Sequence, residues 1–404
     1  MKNIYKAVKI TDKVYWVGAI DWSVRDFHGY LTSRGTTYNA YLILADKITL
    51  IDTVKAPFRE EMMSRIASVV NPEDIIYIVS NHSEMDHSGC LPETIKALQP
   101  EKVFASAMGV KALGEHFRGD SDIEAINAVK TGDTIDLGNM SLQIMETKLL
   151  HWPDSMFSYL PEQKLLFSQD GFGMHLASSS RFADEIAENL LYYEGAKYFA
   201  NILLLYSDRV LAALEQVQKA GMVIDVIAPD HGPVWRKDID KILNWYTKWA
   251  EQVPEKKVVI PFATMWKSTE FMAQAIAEGV SSQGITVKQL PLSGNHRSDV
   301  ATEILNAGAL IVGSPTINNN LFPTVADMLC YLKGLKPRNL IGFSFGSYGW
   351  SGESINHLDK ELTDMGVKIT GPGIKSKYVP DNNILEVCYN RGAEVGARLK
   401  KGME

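Results

Sequence analysis

The chain is expected to be an α/β protein of two domains: a strand-rich domain over residues 1–252 and a doubly wound parallel sheet over residues 253–404. Three observations predict this. The 404 residues exceed what one ordinary core holds. A charged, proline-bearing segment, EQVPEKK at 251–257, reads as a linker. Across it the apolar rhythm changes, from many short strands to a regular alternation of strand and helix.

Composition narrows the class. Hydrophobic content of 46% and charged content of 22% are those of a soluble globular protein. A net charge of −7 argues against nucleic acid as the main partner, because phosphate binding needs a basic face. The opening MKNIYKAVKITDK is charged throughout and lacks the apolar core of a signal peptide. No apolar run reaches membrane-spanning length, so no membrane partner is expected either. Cys90, Cys330 and Cys388 lie far apart, which suits a reducing cytoplasm and excludes an internal iron–sulfur or rubredoxin-type iron site.

In chain order, YLIL at 41–44 and ITLI at 48–51 flank the polar pair Asp46-Lys47 and predict a hairpin. IIYIV at 75–79 predicts a buried strand. Further strands are expected at 142–145, 165–167 and 223–227, each followed by a polar segment with His or Asp. Beyond the linker, VVI at 258–260 leads into a helix whose Phe271, Met272, Ala275, Ile276 and Val280 share one face. Strands follow at 285–290, 310–312, 340–343 and 367–369. Five strands alternating with helices predict a parallel sheet covered on both sides, in a flavodoxin-like arrangement.

The stretch NHSEMDHSG at 81–89 follows the buried strand after one residue and holds His82, Glu84, Asp86 and His87. On an extended segment, residues two apart point the same way, so His82 and Glu84 can serve one ion. Asp86 and His87 are adjacent and expected to diverge toward a second. Any one of them alone would read as a solvated loop residue; four ligand types in six positions point to metal. The stretch resembles the His-x-His-x-Asp-His signature of the metallo-β-lactamase fold, which implies an N-terminal αββα sandwich. Glu84 stands where zinc hydrolases have histidine, and a carboxylate there favours iron. The fold implies more ligands at later strand ends, where His151 (LLHWPDS), Asp170 (LFSQDGFG) and His231 (APDHGP) lie.

Three loops of the second domain suit a flavin. Thr264, Met265, Trp266, Lys267, Ser268 and Thr269 precede a helix, whose first N–H groups and dipole attract a phosphate. A Ser-Thr pair there, taken alone, is more often a simple cap. Ser314, Pro315, Thr316, Ile317, Asn318 and Asn319 form the second loop; Ser347, Tyr348, Gly349 and Trp350 form the third. Together they resemble the FMN site of flavodoxins, at the switch point of the sheet. FMN is expected rather than FAD, since no adenine-binding unit is left over. Lys267 departs from the flavodoxin phosphate loop, which avoids cationic side chains.

A lactamase-like domain with H-x-E-x-D-H followed by a flavodoxin-like domain resembles the flavodiiron proteins (A-type flavoproteins) over essentially the whole chain. The 63, 18 and 60 residues that separate His87, His151, Asp170 and His231 fit that family's spacing. The resemblance implies a di-iron centre, with His82, Glu84, His151 and bridging Asp170 on one ion and Asp86, His87, His231 and Asp170 on the other. It puts His28 (DFHGY) and Tyr198 (AKYFAN) near that pocket, and Trp350 near the flavin and the partner subunit's metal centre. It also implies a head-to-tail homodimer or dimer of dimers. The implied activity is that of an oxygen-detoxifying oxidoreductase, taking dioxygen to water or nitric oxide to nitrous oxide with electrons passed through FMN. HGYLTSRGTTYNAYLI and GSYGWSGE look most like the form that oxidises the reduced deazaflavin coenzyme F-420, with rubredoxin as the alternative donor. A zinc hydrolase and a pure electron carrier are the rival classes. His175, Asp154 and Asp230 are expected to support the ligands, and His116, His296 and His357 to be exposed.

Overall fold

A computed structural model describes residues 4–402 of the chain. The chain divides into two compact units. One comprises Met1–His28, Thr32–Tyr198 and Tyr206–Ala250; the other comprises Gly29–Leu31, Phe199–Leu205 and Glu251–Glu404.

The first unit is built on two sheets. A seven-stranded sheet runs in the order Val8–Lys9, Val14–Trp16, Tyr41–Ile43, Thr49–Ile51, Tyr77–Ser80, Lys102–Ser106, Asn127–Val129. A five-stranded sheet runs Thr134–Asp136, Ser141–Glu146, Met156–Leu160, Leu165–Gln169, Val226–Pro229. Side chains alternate across a pleated strand. Tyr41, Ile43, Ile51 and Val79 therefore meet Leu142, Ile144, Leu160 and Phe167 in one core. Leu42, Leu50 and Ile78 point the other way, onto Met62, Ile66, Leu91 and Ile95 of the helices Arg59–Ile66 and Leu91–Leu98. Being covered on both faces, these strands carry unbroken apolar runs. This is the sandwich that the ligand motif implied. One strand is displaced from its expected place: 223–227 was the apolar run, but the strand is Val226–Pro229. Its register opposite Leu165–Gln169 starts at Val226, and Val223 is left exposed.

The second unit holds a parallel sheet in the order Thr286–Pro291, Glu255–Phe262, Ala307–Gly313, Ile341–Tyr348, Lys368–Ile369. A sixth strand, Ile374–Lys377, pairs with the far end of Ile341–Tyr348. Its sequence IKSK alternates buried and exposed, a pattern too short to stand out. The linker is shorter than 251–257, because the helix Ile239–Glu251 and the strand Glu255–Phe262 leave only 252–254 between them. The charges of this segment belong to the strand's solvated start, where Lys257 pairs with Glu303 at 2.6 Å.

The helices Ser268–Ser281 and Asn382–Lys401 touch backbone to backbone. A Cβ at Gly279 would lie 1.9 Å from the Tyr389 carbonyl oxygen, and one at Gly392 would lie 2.2 Å from that of Ile276. Gly279→Val is therefore expected to cost about 1–3 kcal/mol or more, read as a lower urea midpoint. Gly114→Ala, where a Cβ meets nothing within 4 Å, should leave the midpoint unchanged or raise it.

Candidate metal centre and flavin cleft

The chain leaves the strand Tyr77–Ser80 under tight control. The Asn81 backbone N–H donates to Asp52 Oδ1 at 2.6 Å, and its side-chain amide donates to Asp52 Oδ2 at 2.8 Å. Ser158 donates its hydroxyl to Asn81 Oδ1 at 2.6 Å. His82 follows, Glu84 lies on extended backbone (φ −59°, ψ 144°), and at Met85 the chain enters a helical turn, Met85–Ser88. That turn corrects one expectation. Asp86 and His87 do not diverge; Asp86 Oδ2 lies 3.5 Å from His87 Nε2. The other three candidate ligands come from the five-stranded sheet. His151 lies in the connection before Met156–Leu160, Asp170 directly follows Leu165–Gln169, and His231 follows Val226–Pro229.

The seven side chains form two donor sets. His82, Glu84, His151 and Asp170 gather ligand atoms within 4.8 Å of one another, as do Asp86, His87 and His231. Asp170 belongs to both by distance. Its Oδ2 is 2.9 Å from His151 Nε2 and 3.6 Å from His82 Nε2; its Oδ1 is 3.2 Å from His87 Nε2 and 3.5 Å from His231 Nε2. Glu84 Oε2 faces the first set, 3.2 Å from His82 Nε2 and 3.3 Å from His151 Nε2. All but His151 are buried. Both Asp86 carboxylate oxygens, His87 Nε2 and Asp170 Oδ1 are shut off from solvent with no hydrogen-bond partner among the described residues. Orphaned buried polar atoms are costly, and when they converge as acceptors a cation satisfies them. Four imidazoles and three carboxylates without a thiolate fit a pair of iron ions.

Behind the ligands stand acceptors for the other ring nitrogens. His82 Nδ1 lies 3.1 Å from Asp154 Oδ2, which also takes the Ser83 backbone N–H at 2.6 Å. His231 Nδ1 lies 2.6 Å from the Thr37 carbonyl. His87 Nδ1 is 3.6 Å from Asp230 Oδ2. Asp230 also joins His87 and Asp170 within 4.8 Å, but it approaches His87 on the Nδ1 side, away from the inward-facing Nε2. A proton on Nδ1 leaves the Nε2 lone pair aimed at the centre. Burial raises the Glu84 carboxyl, but hydrogen bonds from His151, His28 and His82 overcome it and hold the group well below the usual range. Burial likewise opposes ionisation of Asp170, and the charges of His87 and His231 with the His151 hydrogen bond reverse it.

The remaining candidates fall around this centre. His28 puts Nε2 2.8 Å from Glu84 Oε1, although its side chain is 73% exposed. Tyr198 is fully buried, with its ring 5.1 Å from His175 and 6.1 Å from His231. His175 is in neither donor set: its Nδ1 is 2.8 Å from Thr36 Oγ1, and burial followed by the His231 charge pushes it well below the ordinary histidine value. His116 and His357 are exposed. His296 is half-buried, contrary to expectation, because it caps the helix Arg297–Ile304 and accepts the Ser298 N–H at 3.3 Å.

In the second unit the three loops line a cleft of about 460 Å³. Met265, Trp266 and Ser268 come from the first loop, Pro315, Thr316, Ile317, Asn318 and Asn319 from the second, and Ser347, Tyr348, Gly349 and Trp350 from the third. Four expected residues do not line it. Thr269 lies beneath, its Oγ1 3.0 Å from Ser347 Oγ, and Ser314 Oγ accepts the Phe322 N–H at 3.0 Å. Thr264 carries a buried hydroxyl without a hydrogen-bond partner among the described residues. Lys267 is exposed and caps the helix Ser268–Ser281 with a left-handed backbone, φ +68°. Sequence reasoning missed Tyr378 and Val379, which follow the unread strand Ile374–Lys377 into the cleft wall. Asn318, Asn319 and Tyr378 are also left-handed, a cluster of unusual backbone typical of ligand sites. Trp266 is 90% exposed and Trp350 87%. Bare indoles from two loops, in a cleft that also holds Ser268 at the N-terminus of a helix, fit a planar ring carrying a phosphate.

Residues 36–232 match the ODP family beta lactamase, and residues 260–392 match flavodoxin. A nitric oxide reductase of Moorella thermoacetica is 43% identical over 396 residues, covering 97% of this chain and 98% of that one. The solved rubredoxin oxygen:oxidoreductase of Desulfovibrio gigas superposes with a TM-score of 0.95 at 44% identity, over 98% of this chain and 100% of that one. The flavodiiron protein of Giardia intestinalis gives 0.94 at 35% identity, over 98% and 97%.

Asp154→Ala is expected to weaken metal retention in the Glu84 set by about 10–100-fold, measured by competition with a chelator. Asp230→Ala should have a smaller effect, since its carboxylate stands beyond hydrogen-bond reach of His87.

Proposed function

The chain belongs to the flavodiiron protein family, and on that premise we propose that it reduces dioxygen to water, or nitric oxide to nitrous oxide. It is an oxidoreductase whose cofactors are FMN and a pair of iron ions. The observation that carries the reading is Asp170, one carboxylate whose two oxygens face two separate sets of imidazoles. In this reading His82, Glu84, His151 and Asp170 hold one iron, and Asp86, His87, His231 and Asp170 hold the other. When bound, two ferrous ions and reduced FMN supply the four electrons that take dioxygen to two waters.

The chain's own groups then have distinct tasks. His28 takes Glu84 Oε1 and leaves Oε2 to the ligand set. Tyr198 keeps its phenolic proton, because burial and then the Asp170 charge raise it well above the ordinary tyrosine value. Its hydroxyl has no hydrogen-bond partner among the described residues and can donate to a substrate oxygen. Trp266 and Trp350 screen the flavin from water. Their exposure suits burial against a second copy, in a head-to-tail dimer that brings the flavin to the partner's Asp170 centre.

For the donor, the resemblance of HGYLTSRGTTYNAYLI and GSYGWSGE supports the reduced deazaflavin coenzyme F-420, which gives a hydride to the flavin. Rubredoxin is a second reading, favoured by the name of the Desulfovibrio gigas relative.

Asp170→Ala should lose most of its iron, retain FMN, and consume dioxygen and nitric oxide about 100-fold more slowly. Stoichiometric zinc with no iron, in protein purified from native cells, would return the reading to a hydrolase of this fold. Anaerobic stopped-flow mixing separates the donors. Flavin bleaching by reduced F-420 within the turnover time supports the deazaflavin, and bleaching by reduced rubredoxin alone supports the second reading.

A further inference from the structure

We propose that Asn39 is a positioning residue for His231, its side-chain amide tying down the carbonyls of Pro229 and Gly232 on either side of the pair Asp230-His231. The proposal rests on the reading that His231 is a metal ligand. Every contact it uses lies within the first unit.

His231 sits on backbone that has no regular structure to hold it. The segment 230–232 is buried but forms neither strand nor helix. Buried N–H and C=O groups need partners, and such a segment must take them from elsewhere. The stretch 37–41 supplies them. The Asn39 N–H donates to the Asp230 carbonyl at 2.8 Å, and the Gly232 N–H donates to Thr37 Oγ1 at 2.7 Å. Tyr41 donates its hydroxyl to the Pro229 carbonyl at 2.6 Å. The Asn39 amide nitrogen donates to that same carbonyl at 2.6 Å and to the Gly232 carbonyl at 3.0 Å. Of these side chains, Asn39 is the one that grips both sides of the ligand.

The amide has one orientation open to it. Asn39 is fully buried, and its Oδ1 accepts the Trp16 indole N–H at 2.8 Å. An indole nitrogen only donates and a carbonyl oxygen only accepts, so the amide oxygen must face Trp16 and its nitrogen the two carbonyls. Trp16 is held in turn. The guanidinium carbons of Arg65 and Arg181 lie 4.6 Å and 4.7 Å from its ring centroid, and a ring face attracts such cations. The Arg181 carbonyl also accepts the Val234 N–H at 2.8 Å, three residues past the ligand. With its flanks fixed, His231 keeps Nδ1 on the Thr37 carbonyl and Nε2 3.2 Å from Asp86 Oδ2. The hold is on the His231 side of the centre. Its loss should therefore loosen the set of Asp86, His87 and His231 and spare the Glu84 set.

The test uses the full-length protein loaded with ferrous iron and FMN, challenged anaerobically with excess chelator. In Asn39→Ala one of the two ions per chain should leave about 10–100-fold faster than in the unaltered protein, and the other at the unaltered rate. General loosening of the fold would instead speed both together. Hydrogen exchange of the 228–233 peptide should quicken about 5–10-fold, the scale of one net hydrogen bond. In a His231→Ala background, Asn39→Ala should not change release of the remaining ion, because the residue acts through His231. Equal acceleration of both ions, acceleration of neither, or unchanged exchange would overturn the proposal. If Asn39→Ala does not fold, Trp16→Phe takes its place, removing the donor that orients the amide while keeping an aromatic ring. It should speed the same single ion and the same peptide about 3–10-fold; no change in either sinks the proposal. Exchange is read on the iron-free chain as well. An unaltered protein that holds no iron pair loses the functional reading, and the clamp then stands or falls on the 228–233 exchange.

Discussion

A carboxylate buried between four imidazoles is the constraint around which the first unit is organised. Asp170 is 1% exposed, and each of its oxygens faces a different pair of histidine Nε2 atoms. Buried charge on this scale is tolerable only when it is paired. The strand ends are tied together so that the pairing can occur. The Asp170 N–H donates to Gln169 Oε1 at 2.6 Å, and the Gln169 amide donates to the Leu150 carbonyl, beside His151, at 2.5 Å. The Asp230 N–H donates to the Gln169 carbonyl at 2.8 Å, beside His231. One glutamine at the end of a strand thus sets the spacing of three ligand-bearing segments.

The outer carboxylates are not equivalent. Asp154 is held below the usual carboxylate range, since the His82 and Ser83 hydrogen bonds outweigh its burial. Asp230 is pushed well above it by burial and by its neighbour Asp52. Asp52 itself is raised to about 6, mainly by burial, despite the Asn81 hydrogen bonds. The Glu84 side of the centre therefore has the firmer anionic backing. Glu84 distinguishes the chain from a zinc hydrolase pattern, and three imidazoles share its two oxygens. The second unit solves a different problem. Its crevice lies at the ends of parallel strands, where loops can take irregular backbone without breaking the sheet.

Much of this was legible in the sequence. The strand–helix alternation after residue 257 is a local pattern, and it predicted the parallel sheet that the structure holds. His82, Glu84, Asp86 and His87 were conspicuous because four ligand types crowd six positions after a buried strand. Other features were not legible. The strand Ile374–Lys377 was too short and polar to register, and with it Tyr378 and Val379 were lost from the cleft. The helical turn Met85–Ser88 was hidden inside a segment that reads as extended, which reversed the expected geometry of Asp86 and His87. His296 looked like a surface residue because capping depends on the conformation of the backbone around it.

By itself the sequence determined the residue types that could serve as ligands, the two domain rhythms and the glycine and hydroxyl loops. These rest on neighbours within a few positions, where periodicity and side-chain chemistry act directly. Only the tertiary structure decided which Asp170 oxygen faces which imidazoles and which acceptor orients each ring. It alone placed Gly29–Leu31 and Phe199–Leu205 with the second unit. The reason is distance along the chain. Asp154 reaches His82 across 72 positions and Ser298 reaches Leu31 across 267, and such contacts arise only when packed strands and helices bring their ends together.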